Sequence, residues 1–162
     1  MQCKEEDRRR FSKPEKYDNV VAVFDEICEE GTVLNEIVTS NLKCFNETFS
    51  NTNCPQEIYA FSDSTEKKYR SAEPTTTNLN DENTSCMSMI LLANCIVKDV
   101  TIKCGIRARF MMSELVQRTH FIDSACPLSY RKSLLQFIDE FDLTEEQKIF
   151  ATAELVRMEI SE

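Results

Sequence analysis

Apolar residues recur along much of this chain at the three-to-four-residue spacing of amphipathic helices. Tyr17, Val20, Val21, Phe24, Ile27 and Cys28 form the first such stripe. Ser12-Lys13-Pro14-Glu15 precedes it as a capping box, with Pro14 in the first turn, and Gly31 follows as a stop. Val33, Leu34, Ile37, Val38 and Leu42 predict a second helix ending near Phe45, joined to the first by a turn short enough for an antiparallel hairpin. The pattern then fades. Cys54-Pro55 breaks the chain, Ile58–Phe61 is an apolar island one helical turn long, and 62–85 predicts a long polar loop. Periodicity resumes through Ile90, Ala93, Val97, Val100, Phe110, Met111 and Leu115, with Gly105 as a break or a bend. Leu134, Leu135, Phe137, Ile138 and Phe141 predict another helix. Thr144-Glu145-Glu146-Gln147 is a second capping box and opens a last helix, with Ile149, Ala153, Val156 and Ile160 on one face. The expected fold is all-α: one domain over 1–162, a stapled bundle of five or six helices, with an N-terminal arm at 1–11.

Two glycines and no tryptophan in 162 residues agree with helices rather than with Gly-rich turns between strands. The charge sharpens the picture. Twenty-eight acidic side chains against 19 basic ones leave a net −9, which disfavours nucleic acid and anionic membranes as partners. The one basic run, Arg8-Arg9-Arg10, directly follows Glu5, Glu6 and Asp7.

Eight cysteines, at positions 3, 28, 44, 54, 86, 95, 104 and 126, are an even set in a small chain. Two N-glycosylation sequons accompany them, Asn46-Glu47-Thr48 and Asn83-Thr84-Ser85. Together they point to an oxidising, secretory route, with Cys3, Cys28, Cys44, Cys54, Cys86, Cys95, Cys104 and Cys126 in disulfides and sugars on Asn46 and Asn83. Met1-Gln2-Cys3-Lys4 has no apolar segment behind it, so Met1 reads as an added start on a processed form. Of the many possible pairings, Cys44–Cys54 would close a short loop after the second helix.

The most apolar segment, Ser85 to Gly105, carries Cys86, Cys95 and Cys104 at nine-residue intervals. Its uncharged run, Asn83 to Val97, is too short and too polar for a membrane span of about 20 apolar residues. Nine residues rotate a helical side chain by about 900°, so successive thiols face opposite ways and cannot share one metal. The segment is therefore expected to be a central buried helix, stapled on both sides. Zinc lacks its close Cys or His pairs. His120 is the only histidine and lies at an expected helix end, where contact with the terminal carbonyls accounts for it without catalysis. Neither nucleotide-binding glycine motif can be built. Asp139, Glu140, Asp142, Glu145 and Glu146 fail the calcium-loop pattern, because Phe141 and Leu143 fall where oxygen ligands are required, and capping the nearby helix explains them better. Met87, Met89, Met111 and Met112 suit core filling, or an adaptable ligand pocket.

The run Cys104-Gly105, Ala108, Phe110, Leu115, Cys126-Pro127, within "CGIRARFMMSELVQRTHFIDSACP", resembles the small secreted eight-cysteine helical domains of nematodes. The resemblance covers about Cys86 to Cys126 and implies a secreted helical domain, with no site residue to carry over. The expected function is non-enzymatic, without cofactor or metal: an extracellular protein that binds another extracellular or cell-surface protein. The alternative is a carrier that encloses a lipid or other small apolar ligand between helices.

Overall fold

The structure is a computed structural model that describes residues 14–71, 81–124 and 126–160. Within them the fold is all-α, with seven α-helices, two short 3-10 turns and no strand. They are α1 (Pro14–Cys28), α2 (Val33–Asn51), α3 (Cys54–Ser71), α4 (Asp81–Cys104), α5 (Ile106–Arg118), α6 (Leu128–Phe137) and α7 (Glu145–Ile160). The expected cap at Ser12 and the arm at 1–11 lie outside the described residues. The helices form two compact units. One contains the described residues up to Ser50 with Val100–Phe121; the other contains Asn51–Asp99 and the described chain from Ile122 onward.

In the first unit, local hydrogen bonds set the turn between α1 and α2. Gly31 takes φ 88°, a left-handed conformation that glycine adopts without penalty. The Thr32 hydroxyl accepts from the Asn35 amide at 3.1 Å as the α2 N-cap, while Asn35 Nδ2 donates to Ile27 O at 2.9 Å and satisfies a carbonyl at the end of α1. Helix α2 runs past its expected end to Asn51. Its buried face there is made by Phe45 and Thr48, so apolar periodicity alone understates its length. Val23, Leu34, Ile37, Phe45, Val100, Ala108, Met111 and Met112 are buried in this unit. Helix α1 packs against α5, and Arg118 reaches Glu26 at 2.6 Å.

Gly105, at φ 86°, separates α4 from α5 outright rather than bending one helix. Helix α5 closes with Phe121 N donating to Val116 O and His120 N to Gln117 O, at 3.3 and 3.2 Å. This is the Schellman pattern, with His120 as its left-handed residue at φ 50°.

The second unit holds the largest departure from expectation. The segment expected as loop over 62–85 is helical at both ends: α3 continues to Ser71 and α4 starts at Asp81. The inward side of α3 is built from Phe61, Ser62 and Thr65, which do not form an apolar stripe. Phe61 lies 6.0 Å from the Phe141 ring, Ser62 and Ser88 hydroxyls are 2.8 Å apart, and Thr65 is buried. On its outer side Lys67 and Asp63 pair at 2.6 Å, one turn apart. That hydrogen bond holds the Lys67 ammonium protonated above the ordinary lysine range.

Helix α4, with 24 residues, is long and apolar enough to cross a membrane by length and composition, which exceeds the 15-residue uncharged run visible in sequence. It buries Cys86, Met87, Ile90, Leu91 and Ala93 against protein, as a core helix does. Leu134 of α6 and Ala151 and Leu155 of α7 complete this core. Within α6, the buried Arg131 donates from Nε to Cys126 O at 2.9 Å and pairs with Asp123 at 2.7 Å. The expected capping box at α7 is formed: Gln147 N donates to the Thr144 hydroxyl at 3.3 Å, and Thr144 N donates to Gln147 Oε1 at 2.9 Å.

Two substitutions test these local arguments. His120→Gly removes a left-handed penalty of roughly 1 kcal/mol and raises the melting temperature by a few degrees; a variant melting lower than the parent would contradict the cap. Arg131→Met removes the guanidinium that pairs with Asp123, and urea unfolding is expected to show a loss of about 2–3 kcal/mol, below the range for fully buried pairs because Asp123 is partly exposed.

Candidate functional site

The first candidate set is the cysteines. Three disulfides are present: Cys44–Cys104 in the first unit, and Cys54–Cys95 and Cys86–Cys126 in the second. Their Cα atoms stand 5.8, 5.7 and 4.6 Å apart, within disulfide reach. Each bond therefore takes one thiol from α4, and the three partners lie on α2, at the start of α3 and just before α6. The nine-residue ladder is a mechanical device, as its geometry predicts. The suggested Cys44–Cys54 bridge is incorrect. Cys44 lies inside α2 and not at its end, because that helix continues for two more turns to Asn51. Cys28 is exposed and is the one free cysteine among the described residues; Cys3 lies outside them. Three intramolecular disulfides are typical of extracellular proteins.

The two sequons part company. Asn46 is exposed on α2, where a sugar has room. Asn83 is only 2% exposed in the first turn of α4, and a glycan on it could not coexist with this packing, so the expectation for Asn83 is corrected. The Asn-x-Ser/Thr pattern carries no information about burial.

The remaining candidates are occupied by structural work. His120 is exposed and serves the α5 terminus through its backbone. Two carboxylates of the acidic cluster are met by lysines, Asp139 by Lys148 at 2.9 Å and Glu146 by Lys98 at 2.7 Å, and Lys68 donates to the backbone carbonyl of Glu140 at 2.6 Å. The Asp139 carboxylate holds the Lys148 ammonium protonated above the usual lysine range. A hydrogen bond from Tyr130 to the Glu82 carboxylate raises the phenol's pKa. No group of three His, Cys, Asp or Glu side chains among the described residues is placed to hold a metal ion. Met87 is fully buried in the second unit, whereas Met111 and Met112 are buried in the first, so they do not line one shared pocket within either unit.

Two faces misread from sequence are more informative. On α7 the predicted core stripe points outward, with Ile149 70% and Val156 41% exposed and Ala153 exposed between them. The core face is Ala151 and Leu155, both at 0%, on the opposite side of the helix. Helix α7 is thus apolar on two sides, and sequence alone could not say which one the protein buries. Phe110, placed with the core of α5, is likewise 49% exposed, and Ile106 one turn earlier shares its outer face.

Comparison of the chain with protein-family models, with curated proteins and with solved structures gives no match.

When the protein is secreted from eukaryotic cells, glycopeptide mapping is expected to find sugar on Asn46 and none on Asn83, and Asn46→Gln should remove all N-glycan mass. Sugar on Asn83 would be incompatible with the packing of the α4 N-terminus.

Proposed function

We propose that this is a secreted helical protein, N-glycosylated at Asn46, which works by binding another extracellular protein rather than by catalysis. The outward face of α7 carries this reading. Ile149, Ala153 and Val156 repeat at i, i+4 and i+7, and so form a straight apolar strip on a helix already anchored by its other side. Glu145, Glu146, Thr152 and Arg157 border the strip. An apolar centre with a polar margin is the anatomy of a recognition patch, and a helix held by its opposite face loses little freedom when a partner covers it. The disulfides and the accessible sequon support an extracellular setting. Acidic excess makes a basic partner surface the better electrostatic match.

The test pairs two measurements on protein secreted from eukaryotic cells. The parent should bind intact cells saturably, and the Ile149→Asp/Val156→Asp variant should lose at least tenfold in affinity with an unchanged circular dichroism spectrum. Native mass spectrometry should show no retained small molecule. Retained lipid, together with equal cell binding by parent and variant, would replace this reading with a carrier of apolar ligands.

A further inference from the structure

The sequon with room for a sugar is accessible only in part. Asn46 is exposed, but Thr48, whose hydroxyl completes the motif, is 2% exposed, and that hydroxyl lies 3.5 Å from Cys104 Sγ and 4.0 Å from Cys44 Sγ. These two sulfurs form the disulfide between α2 and α4. We propose that Asn46 accepts its sugar only before Cys44–Cys104 closes, so that closing this bond ends the availability of the site. This order of events rests on the secretory, N-glycosylated reading given above.

Helical geometry keeps the motif from being read in the folded chain. Residues two apart on a helix point about 200° away from each other. Asn46 therefore faces outward while Thr48 enters the core with Phe45, three residues earlier on the same face. A transferase that has to hold both the Asn46 amide and the Thr48 hydroxyl in one site cannot do so while 46–48 is helical.

The transfer joins Asn46 Nδ2 to the anomeric carbon of an oligosaccharide carried on a polyisoprenyl diphosphate. The bond from that carbon to the diphosphate oxygen breaks, the lipid diphosphate leaves, and the amide gives up one proton. Closing Cys44–Cys104 is a separate exchange with a disulfide oxidant, which takes up the two protons and two electrons that the thiols release.

Chain order supplies the window. Cys104 follows Cys44 by 60 residues, so at about 5–20 residues per second it is made roughly 3 to 12 s later. Through that interval 46–48 lies beside a Cys44 whose partner does not yet exist. Once formed, the bond fixes α2 two residues before the acceptor, and the segment then has to open locally around a covalent tie before it can be read. The second sequon is the reverse case: its hydroxyl residue, Ser85, is exposed and its acceptor, Asn83, is buried. Sugar added early to Asn83 bars the α4 N-terminus from packing, so the folded product keeps sugar on Asn46 alone.

The test uses the full chain folded and oxidised without sugar, a purified oligosaccharyl transferase and a polyisoprenyl-diphosphate oligosaccharide, with glycopeptide mapping to read the sugar on Asn46. The reduced and alkylated chain is expected to accept sugar at least tenfold faster than the oxidised chain, below what losing a disulfide typically does to an opening equilibrium. The oxidised Cys44→Ser/Cys104→Ser variant, with its other two bonds intact, should also exceed the oxidised parent by at least tenfold. Equal rates for oxidised and reduced chains would overturn the proposal, and so would a variant as slow as the parent. A synthetic peptide spanning 40–53 keeps the two readings apart. If it accepts sugar while the order fails, Asn46 remains a glycosylation site without the order; if neither it nor the reduced chain accepts sugar, both readings fall.

Discussion

One helix supplies half of every disulfide among the described residues. Helix α4 places these thiols at nine-residue intervals, half a turn beyond two full turns. Three different segments are thereby bonded to α4. The bonds join residues 60, 41 and 40 apart, and in the chain-entropy picture each removes about 4 kcal/mol of unfolded-state freedom. That sum rivals the whole stability of an ordinary small domain. It explains how the protein can leave Ile149, Val156, Ile106 and Phe110 in water and place polar Ser62, Thr65 and Asn83 in buried or half-buried positions.

The same economy accounts for what could be read from sequence. Elements bounded by strong local chemistry are legible: Gly31 and Thr32 mark the first turn, Gly105 the break after α4, and Thr144 with Gln147 the start of α7. The absence of strands among the described residues and the role of the thiol ladder follow equally directly from periodicity. Helix α3 is not legible, because disulfide, hydroxyl and ring contacts hold it where an apolar stripe would otherwise be needed. Thr52, whose hydroxyl accepts from Cys54 N and donates to Asp99, starts that helix through a contact 47 residues away in sequence, and a local reading cannot see it.

The candidate surface was half legible for a different reason. Periodicity identifies an apolar face but not its orientation. On α7 two apolar faces compete, and Ala151 with Leu155 wins the interior over the bulkier Ile149 and Val156. Packing against α6 selects by shape, since a small residue beside a leucine admits a close neighbour where two β-branched residues would hold it off. The sequons show the same limit, because the motif is shared by an exposed and a buried asparagine.

The pairing of the cysteines also has a topological consequence. Cys44–Cys104 and Cys86–Cys126 enclose overlapping stretches of chain, so every peptide bond from 44 to 126 lies inside at least one closed covalent ring. A protease that cuts once anywhere in that span opens a ring without releasing a fragment. The molecule becomes two chains on paper and remains one object in solution.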